Sequence, residues 1–142
     1  MSKAKILVVW SNYYEALAEK QLQSCIQLLD ASEYDYDIET ITAGTYEIPA
    51  VIKHFSLYQP YDGYIPLGLL LKGGTDHYAF IWEHVKSCFI EFAMEGISLG
   101  NGVISAPSIE MLTERIENNE RVKEAFHAVD YLIKLKSRIS GI

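Results

Sequence analysis

The residues best suited to chemistry lie in one short stretch, Leu67 to His77, which contains two adjacent glycines, a threonine and a histidine. Gly73, Gly74 and Thr75 follow an aliphatic run and precede a helical pattern, so we expect them to form the turn that opens a helix. Backbone N–H groups in such a turn bind anions, and His77 adds a titratable side chain in the first helical turn. The stretch therefore predicts proton transfer beside a phosphate-like group.

A second histidine, His84, follows His77 by seven residues and is predicted to share its helical face. Helical metal pairs prefer a spacing of four, and no third ligand completes this pair, so the pattern does not favour a metal. The glycines match neither a P-loop nor a dinucleotide-binding fingerprint. We therefore expect neither a metal site nor ordinary nucleotide binding.

Two aromatic residues, Trp10 and Tyr46, are predicted at strand ends, where they could stack on a planar ring. The alternative, that both pack against a neighbouring helix or chain, is equally open. Arg115 and Arg121 stand in an otherwise acidic segment and fit solvent-exposed salt bridges. If a partner subunit brought them to the anion-binding turn, either guanidinium could bind a phosphate bidentately.

Composition narrows the class of protein. The chain has 142 residues, 49% hydrophobic and 22% charged, which favours one globular domain over residues 1–142. The net charge of −7 argues against nucleic acid or an anionic membrane as the main partner, although a small anionic ligand remains compatible with it. Cys25 and Cys88 have neither metal nor redox spacing, and no signal peptide is expected, because the N-terminus is predicted to lead straight into a strand. We therefore expect reduced core cysteines in a cytoplasmic protein.

The elements that position these residues alternate between strand and helix. Lys5 to Trp10 is an aliphatic run typical of a strand buried on both faces, and helical spacing follows from Tyr13 to Asp30. Further strands are predicted at 34–41, 64–71 and 97–104. Further helices are predicted at 75–94, 109–116 and 120–138, and another has Pro49 in its first turn and ends near Tyr58. This order predicts a flavodoxin-like three-layer α/β/α sandwich with a four-stranded parallel sheet in the order 2-1-3-4. Ligands are then expected at the loops that follow the strands, 10–13, 43–47, 70–77 and 105–108.

Three motifs in sequence order resemble the lumazine synthase family, also called the riboflavin synthase beta chain. Ala43-Gly-Thr-Tyr-Glu-Ile-Pro49 is similar to the family's G-A-F-E-I-P loop, and Leu67 to His77 is similar to its G-x-x-I-R-G-x-T-x-H loop. Gly102-Val-Ile-Ser105, followed by Glu114-Arg115, is similar to its G-V-L-T strand end and E-R pair. The spacing is family-like across almost the whole chain.

The resemblance implies a cofactor-free condensation of 5-amino-6-ribitylaminouracil with 3,4-dihydroxy-2-butanone 4-phosphate. The products are 6,7-dimethyl-8-ribityllumazine, phosphate and water. The alternative is a non-catalytic relative that holds a flavin or lumazine, or that serves as a shell. By position, the resemblance implies that His77 transfers protons and that Arg115 holds the phosphate.

The remaining substrate-binding residues are also implied by position. The family usually has Arg-Phe-Asn after the first strand, where this chain has Trp10, Ser11 and Asn12, so Trp10 is the candidate stacking ring. Asn101 and the Ser105 region are expected to come from an adjacent subunit. The full implied set is Trp10, Ser11, Asn12, Gly44, Thr45, Tyr46, Glu47, Leu69, Leu70, Leu71, Lys72, Gly73, Gly74, Thr75, Asn101, Ser105 and Arg121.

The resemblance implies partners as well as substrates. Family members assemble as pentamers, dimers of pentamers or icosahedral shells, with sites between neighbouring subunits. The short N-terminal segment and the sequence Glu117-Asn-Asn-Glu-Arg121, which stands where shell formers have a different loop, favour a pentamer or decamer. Riboflavin synthase is a candidate partner, and no nucleic acid or membrane partner is expected.

Overall fold

Strands and helices alternate along the chain, as predicted. The computed structural model describes residues 3–73 and 76–141, so the predicted binding residues Gly74 and Thr75 lie outside the described residues. A short 3₁₀ helix, Thr45–Glu47, precedes the second α-helix. The other elements are β1 (Lys5–Ser11), α1 (Glu15–Asp30), β2 (Asp35–Ile41), α2 (Ile48–Tyr58), β3 (Gly63–Leu67), β4 (Leu69–Leu71), α3 (His77–Met94), β5 (Ile104–Ala106), α4 (Ile109–Glu117) and α5 (Glu120–Ser140).

The strands are parallel but form two sheets. One sheet has three strands in the order β2-β1-β3, and the other pairs β4 with β5. The prediction of a parallel sheet between helices is therefore confirmed, whereas the single four-stranded sheet in the order 2-1-3-4 is not observed as such. The central position of β1 explains its continuous aliphatic sequence, since Ile6 to Ser11 are all buried.

The predicted third strand, 64–71, is interrupted at Gly68, which separates β3 from β4. A Cβ at Gly68 would lie 2.7 Å from Thr45 Oγ1, so glycine allows the loop after β2 to approach the backbone here. Pro66 within β3 has no N–H to donate. Both residues weaken regular pairing along this stretch.

The predicted fourth strand, 97–104, was placed too early, because the regular strand is Ile104–Ala106. The residues before it run beside β3 through separate hydrogen bonds. Gly100 N–H donates to Tyr64 O at 2.9 Å, and Gly102 N–H donates to Pro66 O at 3.0 Å. A Cβ at Gly100 would collide with the Ala125 carbonyl, so only glycine allows this close approach to α5.

Helices cover both faces of the strands. Alternate residues of β1 point to opposite sides, so Ile6 and Val8 join one apolar core with α1, α4 and α5. Leu7 and Val9 join a smaller core that includes Ile48, Ile52 and Phe92 from α2 and α3. These three layers fit a flavodoxin-like fold.

Two findings bear on the expectations drawn from composition. Cys25 is buried and Cys88 is half-buried, and both are free thiols. Burial raises the pKa of the Cys25 thiol to about 12, which keeps it protonated and inert as a core residue. Among the described residues, none of the helices is long and apolar enough to cross a membrane.

Candidate active site

The carboxyl ends of the strands border a cavity of about 500 Å³. The chain after β1, the loop after β2, strand β4 and the start of α3 all contribute to its wall. Three of the four strand-exit loops predicted as ligand-binding therefore lie together, whereas the loop after β5 does not line this cavity. The predicted site residues in the wall are Gly44, Thr45, Tyr46, Glu47, Leu69, Leu70, Leu71, Gly73 and His77.

The loop after β2 is held at two points. The Thr45 hydroxyl is buried and lies 3.4 Å from Leu69 O, a long hydrogen bond that connects the loop to β4. The Glu47 carboxylate accepts the Gly44 N–H at 3.1 Å, which closes the 3₁₀ turn on itself. Tyr46 stands between these two anchors, so its backbone is fixed while its ring extends along the cavity.

His77 is the first residue of α3, two residues later than the predicted helix start, and its side chain is exposed at the cavity. The segment before it is held by the Lys72 N–H, which donates to Ala106 O at 2.9 Å. The Lys72 side chain is exposed and does not line the cavity. The structure thus places a titratable imidazole at a helix N-terminus, where backbone dipoles favour an anion.

Two tyrosines after β1, Tyr13 and Tyr14, line the cavity and were not predicted as site residues. Their rings meet edge to face at 5.0 Å between centroids, and 67% of Tyr13 is exposed. Burial is the main cause that raises the pKa of Tyr14, and the neighbouring Tyr13 raises it further, so the Tyr14 hydroxyl stays neutral. Tyr13 lies in the predicted 10–13 exit loop and Tyr14 directly follows it, which was the available signal, but that loop was matched to Trp10, Ser11 and Asn12 instead.

The side chains of Trp10 and Ser11 do not reach the cavity, in contrast to the prediction. Trp10 is buried in the core against α1, and its indole N–H donates to Ala18 O at 3.0 Å. Ser11 is also buried, and its hydroxyl donates to Ala43 O at 2.8 Å. Asn12 donates its N–H to Ile41 O at 3.2 Å. Ser11 and Asn12 thus connect the end of β1 to the end of β2, and β1 continues one residue further than predicted.

Four other predicted residues lie away from this cavity. The Asn101 side chain accepts the Val103 N–H at 2.9 Å, and Arg115 donates to the Ser105 carbonyl. Arg121 forms an exposed ion pair with Glu124 at 3.5 Å. Arg115 is thereby held beside the carboxyl end of β5, and its guanidinium is exposed rather than directed into the cavity of its own chain.

The described residues hold no group of three or more His, Cys, Asp or Glu that could bind a metal ion. The cavity wall instead combines rings, from Tyr13, Tyr46 and Phe80, with a hydroxyl, a carboxylate and an imidazole. Such a wall suits a planar heterocycle with a polar chain, and the imidazole can move protons.

A parallel α/β domain with this cavity at its strand ends defines a class of small-molecule-binding proteins. Comparison with known families makes the assignment more specific. The sequence pattern of the 6,7-dimethyl-8-ribityllumazine synthase family matches residues 3–137, and the chain belongs to this family.

Individual relatives agree with the family assignment. A protein of Rhizobium meliloti (strain 1021) named 6,7-dimethyl-8-ribityllumazine synthase 1 is 31% identical over 153 residues, covering 99% of both chains. A 6,7-dimethyl-8-ribityllumazine synthase of Agrobacterium fabrum is 27% identical over 149 residues, covering 99% of this chain and all of the relative. The similarity therefore spans whole chains, although most side chains differ.

Proposed function

We propose that this protein is a 6,7-dimethyl-8-ribityllumazine synthase that acts in riboflavin biosynthesis. It condenses 5-amino-6-ribitylaminouracil with 3,4-dihydroxy-2-butanone 4-phosphate and releases the lumazine, phosphate and water. The observation that carries the proposal is that one cavity is lined by His77, the Gly44–Glu47 loop and Leu69–Leu71. Family membership over residues 3–137 supports the same reaction.

The chemistry requires proton transfer more than it requires a metal. The 5-amino group of the uracil attacks the ketone and a first water leaves, and then the C–O bond to phosphate breaks. The resulting enol becomes a carbonyl, which the ribityl-bearing amine attacks to close the ring and release a second water. Each step moves a proton to or from nitrogen, carbon or oxygen, and a positioned imidazole accelerates such transfers. We assign this role to His77, whose imidazole lies in the cavity wall at the start of α3.

We place the heterocycle and its ribityl chain against the aromatic residues of the wall and the loop after β2. Tyr13, Tyr46 and Phe80 offer apolar ring surface, and the Glu47 carboxylate in the wall can accept hydrogen bonds from the ribityl hydroxyls. The phosphate would lie at Gly73 and at the adjoining residues Gly74 and Thr75, which are outside the described residues. This arrangement puts the phosphate within reach of His77 and leaves the aromatic wall to the uracil.

A guanidinium for the phosphate must come from outside this cavity. Arg115 is exposed beside Ser105, and Asn101 lies in the same part of the chain, away from the cavity of its own subunit. A neighbouring copy that presents Arg115 to this cavity would supply the missing positive charge. We therefore propose self-association into a pentamer or decamer. A riboflavin synthase partner and a cytoplasmic location remain predictions.

The reaction is tested by incubating purified protein with both substrates and following lumazine absorbance. His77→Ala is expected to lower kcat about 10-fold or more, because it removes the proton-transfer group but not the cavity. The matched control is His54→Ala, since His54 is an exposed histidine of α2 whose ring contacts Ala50 O of its own helix at 2.6 Å.

The control variant should keep wild-type kcat, and both variants should keep the wild-type unfolding midpoint. Wild-type protein that yields no lumazine at high concentration contradicts the proposal. Retention of bound flavin or lumazine without turnover would then support the non-catalytic alternative.

A further inference from the structure

The ring of Tyr46 is stacked on a histidine that the reaction as described above does not use. The centroids of Tyr46 and His84 are 3.9 Å apart and their planes differ by 20°. On the same helix, Phe80 lies nearly parallel to Tyr46, with centroids 6.0 Å apart and planes 7° apart. Tyr46 therefore rests on two rings of α3 rather than extending freely into solvent.

The stack follows from helical spacing. Phe80 and His84 are four residues apart, so they lie one above the other on one face of α3. That face packs against the 3₁₀ helix that carries Tyr46. Phe80 and Tyr46 line the cavity, whereas His84 is half-buried behind it and is not part of the wall. Its Nδ1 lies 3.9 Å from the Cys88 Sγ, one turn further along.

Backbone anchors do not fix the Tyr46 ring. Thr45 and Glu47 hold the loop, but χ1 and χ2 of Tyr46 remain free to rotate unless another group occupies one side of the ring. His84 occupies that side. A ring that is held before ligand binds does not lose rotational freedom on binding, which favours affinity.

The same helix also carries His77, seven residues before His84. An α-helix is rigid over two turns, so α3 sets the position of the Tyr46 ring relative to the proton-transfer group. The two sides of the cavity are thereby linked through one element.

We propose that His84 is a positioning residue of this active site, whose imidazole holds the Tyr46 ring as the wall that contacts the planar ring of the uracil substrate. The inference rests on the proposed function for the identity of the ligand. It predicts that a flat aromatic ring at position 84 is needed, and that its ability to titrate is not.

The test compares His84→Ala, which removes the ring, with His84→Phe, which keeps it, and uses His54→Ala as the matched control. Affinity for 6,7-dimethyl-8-ribityllumazine is measured from quenching of its fluorescence, together with kcat and the KM of each substrate. His84→Ala should weaken lumazine binding and raise the KM for ribitylaminouracil about three- to tenfold, as expected for loss of one aromatic stack.

The other parameters separate positioning from a general loss of structure. In His84→Ala, kcat and the KM of the phosphorylated ketone should stay within about twofold of wild type, since the stack is proposed to contact the uracil ring and the phosphate is assigned to Gly73 and the residues after it. His84→Phe should restore lumazine affinity and the uracil KM. Wild-type affinity in His84→Ala overturns the inference, and so does a failure of His84→Phe to restore it.

A measurement without ligand keeps this outcome distinct from failure of the proposed function. Crystal structures of the unliganded variants should show the Tyr46 ring displaced in His84→Ala and in its original place in His84→Phe. An undisplaced ring in His84→Ala overturns the inference whether or not the protein makes lumazine. Absence of lumazine formation by wild-type protein, with a displaced ring, contradicts the reaction alone.

Discussion

Tyr13 is a residue of the cavity wall that comparison of motifs alone did not select. The motif comparison left no ring in the usual place after the first strand, and Trp10 was the candidate replacement. Trp10 is buried against Ala18, whereas Tyr13 stands at the cavity with most of its surface exposed. The aromatic surface beside β1 is therefore present, three residues further along the chain.

Replacing Tyr13 with alanine should weaken lumazine binding about three- to tenfold, because a ring that stacks on the heterocycle is lost. Tyr13→Phe should retain wild-type affinity, since the ring face and not the hydroxyl makes the contact. Fluorescence titration measures both. The control is Tyr58→Ala, which removes an exposed tyrosine at the end of α2 that does not line the cavity. Equal affinity in Tyr13→Ala and wild type would remove Tyr13 from the site.

An ion pair and a hydrogen bond connect the strands near the ends that lie opposite the cavity. Lys5 of β1 forms an ion pair with Asp37 of β2 at 3.0 Å, and the Tyr61 hydroxyl donates to the same carboxylate at 2.6 Å. Lys5 Nζ also lies 5.5 Å from the centroid of the Tyr61 ring. The hydrogen bond from Tyr61 is the main cause that holds the pKa of Asp37 below its ordinary value, and the contact with Lys5 lowers it further.

A lowered pKa means that Asp37 stabilises the fold fully above its ordinary pKa of about 4, and that this contribution is lost as the pH falls through the folded value. Wild-type protein should therefore lose more unfolding free energy between pH 6 and acid conditions than Asp37→Asn. Because about half of the Asp37 side chain is exposed, the difference should be below about 1 kcal/mol.

Urea unfolding midpoints at several pH values measure the effect. Asp35→Asn is the matched control, because Asp35 is an exposed aspartate of the same strand that lies 4.0 Å from Lys3. Parallel acid limbs for wild-type protein and Asp37→Asn would contradict the predicted contribution of this carboxylate.

Beyond the single chain, α3 and the distribution of site residues both point to an assembly. Only Val85 and Phe92 are buried among the 18 residues of α3, while Ile90 and Met94 are 59% and 85% exposed. Exposed apolar side chains on one helix are typical of a surface that another copy covers. Arg115 and the cavity also lie apart within one chain.

A pentamer of 16.1 kDa chains should have a mass of 5 × 16.1, about 80 kDa, by light scattering, and a decamer twice that value.

If sites form between neighbours, refolding an equal mixture of His77→Ala and Arg115→Ala chains should restore activity, since about one site in four then holds both intact residues. Each variant alone should be nearly inactive. A monomer, or a mixture no more active than its components, would contradict the shared site.

The sequence was sufficient wherever a local pattern determines the outcome. Uninterrupted apolar residues predicted the buried strand β1, helical spacing predicted the five α-helices, and the three motifs identified the family and most of the cavity wall. The broken strand at Gly68 and the late start of β5 were not predicted, because both depend on contacts between distant segments, such as Thr45 against Gly68 and Gly100 against Ala125.

Tertiary structure alone decided which side chains face the cavity. Trp10 and Tyr13 are both aromatic residues near the end of β1. Alternation along β1 puts Trp10 on the side of Ile6 and Val8, but whether the strand or the loop includes Trp10 depends on pairing with β2. The indole hydrogen bond to Ala18 buries one, whereas the turn into α1 exposes the other. The stack of His84 on Tyr46 joins residues 38 positions apart, so only packing of α3 against the 3₁₀ helix creates it. Sequence determined the elements and their chemistry, and long-range packing selected the residues that form the site.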